Sequence, residues 1–107
     1  MAKILNFTPH TINIMNEYGG KIQDFPSEGN ARVSTSTQKI GTVGDIDLFS
    51  KEYGQVEGLP PQENDQFIIV SRLVAAAVPH REDLVFPSGF VRNESGQIIG
   101  CLGFERI

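Results

Sequence analysis

Two groups of polar residues in this sequence could do chemistry, and each lies where an apolar segment is interrupted. Thr8 and His10 flank a proline, and His80-Arg81-Glu82-Asp83 follows Pro79 directly. A loop histidine with a hydroxyl neighbour can bind an anion or act as a general base. The same histidine could instead pack on its loop and bond the backbone, and adjacent charges often neutralise one another. The residue types therefore indicate an anion site, with a structural role as the alternative.

Ser71 and Arg72 form a third candidate site. The run Phe67-Ile68-Ile69-Val70 predicts a buried strand, and Ser71 then stands where a helix N-cap would. About two turns of helix follow before Pro79 stops them. Free N–H groups at a helix start, with a hydroxyl and a guanidinium beside them, suit a phosphate or carboxylate. Plain helix capping explains these residues equally well.

We predict that two arginines converge on one ligand. If residues 87–89, Pro-Ser-Gly, form a turn, Arg92 folds back beside the loop that holds Arg81. Asp83 would hold one guanidinium through a bidentate pair and leave the other for a phosphate. The predicted ligand-binding residues are Thr8, His10, Ser71, Arg72, Arg81, Asp83 and Arg92. Thr8 and His10 would close the pocket from the same chain or from a second copy, which leaves a homo-oligomer open.

The sequence predicts no catalytic residue, no metal and no cofactor. Cys101 ends an apolar segment, which is typical of a buried, inert thiol. As the single cysteine it can form neither an internal disulfide nor a cysteine-based metal site. The two histidines show no ligand spacing. A couple between Cys101 and His10 or His80 stays open, and with it a small hydrolase.

Composition narrows the class of protein. At 107 residues the chain is expected to form one domain, residues 1–107. Thirteen acidic against nine basic residues give a net charge of −4, which disfavours nucleic acid as a partner. No apolar segment is long enough for a membrane span, and no signal segment is evident. The lone cysteine favours the cytoplasm.

Negative charge is concentrated in residues 44–65. Six carboxylates lie there and are opposed only by Lys51: Asp45, Asp47, Glu52, Glu57, Glu63 and Asp65. A solvated acidic surface is the simplest interpretation. The alternative is a protein-interaction module, or an inhibitor, that docks on a host enzyme through this acidic surface.

The predicted fold is mainly β (α+β), a small antiparallel sheet or partly open barrel with one short helix. Eleven glycines, six prolines and many short β-favouring segments indicate it. Two hairpins stand out, one turning at residues 16–20 and one at residues 93–96. Further strands are expected over residues 31–38 and 46–53. Residues 39–45 are predicted to be a flexible connection and residues 54–61 a loop. At least six short strands should result.

Several segments together resemble a family of small proteins found in bacteriophages, prophages and actinobacterial genomes. They are LNFTPHTINI, GQVEGLPP, FIIVSRLVAAA and REDLVFPSGFVRNESGQIIGC, in that order over most of the chain. The family pattern is NLTPH, EVEGLP, IVSxxVAAA and RxDLxxPGxxVRDxxGxIIGC. This chain departs from it at Phe7, where leucine is usual, at Asn93, where aspartate is usual, and at the inserted Ser88.

The resemblance implies a mobile-element setting and no particular enzymatic activity. Small phage proteins of this size include anti-defence "sponges" that sequester nucleotide immune signals without turning them over. By that analogy of size and setting, the expected activity is binding of a small anionic, nucleotide-like molecule. Separated arginines, a helix start and the Thr8/His10 loop agree with such a ligand.

Overall fold

The structure is a computed structural model that describes residues 2–107, and within them it contains two sheets and one helix. The elements in chain order are β1 (Lys3–Asn6), β2 (Ile12–Met15), β3 (Lys21–Phe25), β4 (Arg32–Val43), β5 (Ile46–Glu57), β6 (Gln66–Ile69), α1 (Arg72–Ala77), β7 (Leu84–Arg92) and β8 (Ile98–Glu105). The larger sheet has the order β1-β6-β7-β8-β2-β3, and β4 and β5 form a separate two-stranded sheet. The prediction of a β-rich α+β fold with one short helix is confirmed.

The larger sheet mixes strand directions. The pairs β2–β3 and β7–β8 are antiparallel, and both are the hairpins that the sequence predicts. The pairs β1–β6, β6–β7 and β2–β8 are parallel. Because parallel strands need long connections, these pairings join segments that lie far apart in the sequence. The β2–β8 pairing brings Ile14 beside Cys101 and thereby joins the two hairpins.

The core lies where α1 covers β6 and β7. Ile68, Ile69 and Val70 are fully buried, as expected for a β-branched run in a central strand. Ser71 caps α1, since its Oγ accepts a hydrogen bond from the Val74 N–H at 3.3 Å. The helix ends before Pro79, so both predicted boundaries are confirmed. Val74 and Ala75 are the buried residues of α1 and pack against the sheet.

The two edge strands of the larger sheet meet at Asn6. Its side chain is fully buried, and its Nδ2 donates to the carbonyls of His10 and Phe25, both at 2.7 Å. Its Oδ1 accepts from the N–H and the hydroxyl of Thr8, at 2.9 and 2.7 Å. A backbone bridge from Asn6 to Ser27 lies beside these contacts. The sheet is therefore curled, with β1 joined to the end of β3 at one corner.

The predicted flexible connection at residues 39–45 is wrong. β4 continues through Val43, and a two-residue turn, Gly44-Asp45, leads directly into β5. Gly44 has a φ of +60°, at the first turn position, where a type II′ hairpin turn favours glycine. Likewise β5 runs on to Glu57, inside the predicted loop at residues 54–61. Pairing along both strands overrides the local loop signals.

The predicted turn at residues 87–89 is also wrong, because β7 continues through these residues, with Gly89 at a φ of +72°. Pro87 pairs with Phe104 and Ser88 with Gly103 in the β7–β8 ladder. β6 pairs with β7 only as far as Val85, so beyond that point one edge of β7 is free. A proline is tolerated in a strand with a free edge, since no neighbour needs its missing N–H.

The strands β4 and β5 form a projecting hairpin, which we call the arm (residues 32–57). Each strand has twelve residues, which corresponds to about 40 Å of extended chain. Only the base of the arm reaches the core, through Val33 and Val56. Nearly every other side chain in it is exposed. No helix within residues 2–107 is long and apolar enough to cross a membrane.

We predict that Asn6→Ala lowers the free energy of unfolding by roughly 2–4 kcal/mol, because it leaves several buried donors and acceptors without partners. Urea denaturation measures this. The control is Asn16→Ala: the Asn16 Oδ1 also accepts two hydrogen bonds, from the N–H groups of Tyr18 and Gly20, but in an exposed turn. Its loss should stay below ~1 kcal/mol. Equal losses in both variants would show that Asn6 does not hold the sheet edges together.

Candidate functional site

Arg81 and Asp83 form a bidentate ion pair, as the sequence predicts for Asp83 and one arginine. The Arg81 Nε and Nη2 donate to the two carboxylate oxygens at 2.8 and 2.7 Å. Nη2 also donates to the carbonyl of Pro60 at 3.0 Å. The side chains are 16% and 3% exposed. The hydrogen bonds to Asp83 raise the pKa of Arg81, against the opposing effect of burial and with the help of the carboxylate charge.

The Arg81–Asp83 ion pair has a structural role, because it links backbone segments of three different parts of the fold. The carbonyl of Asp83 accepts from the Ile68 N–H at 2.9 Å, so the pair is fixed to the β6–β7 ladder. Pro60 ties it to the segment that leaves the arm. The cavity beside Arg81, between Pro79 and Arg106, encloses only about 30 Å³. That space suits one or two waters rather than a nucleotide.

A wider cleft lies next to this pair, but its charge is wrong for an anion. It encloses about 280 Å³ and is lined by residues 62–67 together with Glu82, Asp83 and Arg106. Glu63 and Asp65 are in that range, and Asp83 is already neutralised by Arg81. The other carboxylates of the cleft, those of Glu63, Asp65 and Glu82, outnumber its one arginine, Arg106. Their field disfavours a phosphate at this end of the sheet.

Arg92 does not converge with Arg81. Since β7 is continuous from Leu84 to Arg92, the two arginines lie at its opposite ends, roughly 25 Å apart along the strand. The Nη1 of Arg92 donates to the Gly96 carbonyl at 2.8 Å and so braces the exposed β7–β8 turn. The prediction of convergence is wrong because residues 87–89 extend the strand.

Thr8 and His10 lie in the loop that Asn6 anchors, and the structure gives them different environments. Thr8 is buried, and its hydroxyl bonds the Asn6 side chain and the His10 carbonyl at 2.7 and 3.0 Å. Those contacts fix the loop. The imidazole of His10 is exposed and lies at the edge of a cleft. Of the two, only His10 is placed to meet a ligand.

Ser71 and Arg72 stand apart from the other predicted site residues. The hydroxyl of Ser71 caps α1, which is the plain structural role considered for it. Arg72 is exposed at the first position of that six-residue helix. Neither residue lines any of the clefts described above.

An apolar cleft of about 310 Å³ lies over β2, β7 and β8 of the larger sheet. Its walls are mainly aliphatic and aromatic, with a few polar groups at the rim; they comprise His10, Thr11, Ile12, Asn13, Pro87, Phe90, Ile98, Ile99, Gly100 and Cys101. Phe90 is 58% exposed. The β7–β8 register shifts between Val91 and Arg92, which leaves an extra residue in β8 at Ile99. Such a bulge re-aims neighbouring side chains, and both Ile98 and Ile99 line the cleft.

The electrostatics of this cleft differ from those of the Arg81 end. None of its lining residues is acidic. Arg92 follows Phe90 by two positions in β7, so both side chains leave the same face of the strand, about 7 Å apart. The cleft thus combines an exposed ring and a histidine with a guanidinium nearby.

Cys101 and His10 line the same cleft, but they do not form an activated pair. Burial raises the pKa of the Cys101 thiol, although the backbone around it opposes that shift. The thiol therefore stays protonated at neutral pH. Within residues 2–107 neither histidine side chain is ion-paired with a carboxylate. In the same residues no group of His, Cys, Asp and Glu side chains is arranged to hold a metal.

Sequence reasoning did not identify Phe90, Ile98 and Ile99 as residues that line a cleft. The sequence predicts the hairpin that contains them, and therefore their positions in adjacent strands. It does not predict that they line a cleft, because the cleft results from the parallel pairing of β2 with β8 and from the bulge at Ile99. No local signal in the sequence marks either feature.

The acidic residues 44–65 do not make one surface. Asp45 is in the turn at the tip of the arm, and Asp47 bonds Lys39 at 3.0 Å. Glu52 is an odd number of positions from Asp47 in β5, so it projects from the opposite face. The structure therefore gives less support to docking through a continuous acidic face.

No protein-family model matches this sequence, and no curated protein or solved structure gives a significant match. Function is therefore inferred from the site itself.

We predict that Asp83→Ala lowers the free energy of unfolding by roughly 2–4 kcal/mol, because it leaves a largely buried guanidinium unpaired. Asp24→Ala, which removes the exposed pair between Lys21 and Asp24 at 3.2 Å, is the matched control and should cost less than ~1 kcal/mol. Urea denaturation compares the two. If Asp83→Ala is as stable as the parent chain, the ion pair is not structural.

We predict that Cys101 reacts with iodoacetamide far more slowly in the native protein than in urea. Its raised pKa means that the folded state holds the thiol proton more tightly than the unfolded state. The corresponding stability is complete below the ordinary thiol pKa and is lost as the pH rises through the raised value. Mass spectrometry of alkylated protein across pH 7–10 checks this. Rapid native alkylation at neutral pH would contradict a buried, protonated thiol.

Proposed function

We propose that this protein binds a small, anionic, nucleotide-like ligand in the cleft over β2, β7 and β8 and holds it without turnover. The observation that carries the proposal is a cleft of about 310 Å³ without acidic lining, whose walls include an exposed phenylalanine and a histidine. This volume is within the range of small-molecule sites. An arginine, Arg92, follows that phenylalanine by two positions in β7.

Each part of the cleft matches part of a nucleotide. The exposed ring of Phe90 offers a stacking surface for a base, a contact worth roughly 1–3 kcal/mol. The rim groups of Asn13 and Thr11 can hydrogen-bond the edge of a base. Arg92, about 7 Å along the strand from Phe90, can reach a phosphate with the guanidinium donors that Gly96 leaves free.

Binding without turnover is supported by the state of the reactive groups. The Cys101 thiol is buried and protonated, so it is a poor nucleophile. His10 has no carboxylate to orient it as a general base, within the described part of the chain. A hydrolase built on His10 or His80 therefore has less support than a binding protein.

The setting that fits this activity is the one that the family resemblance implies. A phage or prophage protein that captures a nucleotide signal acts by stoichiometry, so it needs affinity and no catalytic group. Anti-defence sequestration in the host cytoplasm is thus part of the proposal. Neither nucleic acid nor a membrane is needed for it.

We predict that nucleoside monophosphates or cyclic nucleotides raise the melting temperature, because a ligand that binds only the folded state stabilises it. Phe90→Ala and Arg92→Ala should each weaken binding roughly tenfold or more, through loss of a stacking or a charge-assisted contact. Isothermal titration calorimetry measures both. Both residues are exposed, so these variants should keep the parent fold.

Arg72→Ala is the matched control, since Arg72 is an equally exposed arginine outside the cleft. It should bind like the parent chain, and long duplex DNA should give no shift. If Arg72→Ala loses the ligand while Phe90→Ala keeps it, the site is at the start of α1 instead. Mass spectrometry of ligand released from heated protein tests turnover: a chemically changed ligand, with the change lost in His10→Ala, would favour the hydrolase.

A further inference from the structure

The arm exposes large apolar side chains that no other element within residues 2–107 covers. Six of its large hydrophobic side chains are exposed: Ile40, Val43, Ile46, Leu48, Phe49 and Tyr53. They lie on both faces of the hairpin, since Leu48 and Phe49 are adjacent in β5 and project to opposite sides. Exposed apolar groups of this number are typical of a surface that meets a partner.

The arm also lacks the support that a hairpin normally needs. A two-stranded hairpin alone is at best marginally stable in water. Beyond its base at Val33 and Val56, this one packs on no other element within residues 2–107. The outer backbone edges of β4 and β5 are unpaired there, and such long free edges readily pair with another strand.

The side chains of β5 show which strand fits that edge. Asp47, Phe49 and Lys51 occupy every second position of β5, so all three side chains project from the same face. The ring of Phe49 lies between a negative charge on one side and a positive charge on the other. If two such strands pair antiparallel with Phe49 opposite Phe49, Asp47 of each copy faces Lys51 of the other. The pattern is self-complementary, as an interface with two-fold symmetry requires. Lys51 has no carboxylate within ion-pair distance in residues 2–107, so it is available for this contact. Asp47 lies 3.0 Å from Lys39 in its own arm, and since that pair is exposed, the carboxylate can also accept from Lys51 of the second copy.

We propose that this protein forms a two-fold dimer through its arm, by antiparallel pairing of the outer β5 edges of two copies centred on Phe49. The pairing creates a four-stranded sheet from the two arms. Aromatic pairs and opposite charges directly across such a ladder stabilise it. β5 is a regular strand from Ile46 to Tyr53, so its outer edge can pair with a second copy without a bulge. The irregularities of the arm lie elsewhere, at Ile40 in β4 and beyond Tyr53 in β5.

The balance of charge favours a second copy over another class of partner. The arm carries three basic and four acidic residues, so it is nearly neutral, whereas the whole chain has a net charge of −4. Neither a polyanion nor a strongly basic protein finds a matching field on it. Two identical arms, by contrast, each supply both signs at reciprocal positions.

A charge-swap cycle tests the proposal. Lys51→Asp places two pairs of like charges across the interface, and so does Asp47→Lys. Each should raise the dimer dissociation constant roughly tenfold or more. In a Lys39→Ala background, which removes the ion pair of Asp47 within its own arm, the double variant Asp47→Lys/Lys51→Asp restores opposite charges in both pairs. It should bring the constant back to within a few-fold of the value for that background. Sedimentation equilibrium measures it against the monomer mass of 11.8 kDa.

Glu17→Lys, an exposed charge change in the turn between β2 and β3, is the control and should leave the constant unchanged. All substituted side chains are exposed, so the variants should remain folded, and their circular dichroism verifies this. A parent chain that is monomeric at every concentration overturns the proposal. So does an oligomer that is indifferent to both single swaps, or a double variant no better than the single ones.

Discussion

The four hydrogen bonds of the Asn6 side chain are the constraint on which the shape of this protein depends. A six-stranded sheet with free edges could lie open, and its twist alone would not bring β1 to β3. Asn6 satisfies two donors and two acceptors that would otherwise be buried without partners at the place where these edges meet. Burial strengthens the constraint, because water cannot replace those bonds. The loop that carries His10 is held against the apolar cleft as a result.

The continuity of β7 divides the remaining chemistry between two ends of the sheet. At its start, Arg81, Asp83 and the Pro60 carbonyl form a satisfied ionic cluster beside an acid-lined cleft. At its other end, Phe90 lines a cleft without carboxylates, and Arg92 follows two positions later in the strand. The strand therefore separates a stabilising ion pair and an acid-lined cleft from an apolar cleft that has no acidic lining.

Local sequence signals predicted the local structure well. Ser71 before an alanine-rich run and Pro79 after it mark α1, and Asn93-Glu94-Ser95-Gly96 marks the β7–β8 turn. A bidentate pair between Asp83 and one arginine was predicted, and the structure shows that this arginine is Arg81. The failures arose where pairing with the neighbouring strand of a hairpin overrode turn-forming residues, as at Pro87 and along the far half of β4. The apolar cleft itself depends on the parallel β2–β8 contact, which joins segments more than eighty positions apart.

The arm also has a consequence for how the chain folds. Lys3 pairs with Gln66, sixty-three positions later, so this parallel pairing must close a long loop. The arm is a local hairpin, and once it has formed, Arg32 lies beside Glu57 and twenty-five positions drop out of that loop. The entropic cost of loop closure then falls by only about 0.4 kcal/mol. A strand pair that reaches the core only at its base can thereby shorten the loop that the sheet must close, because local contacts form well before distant ones.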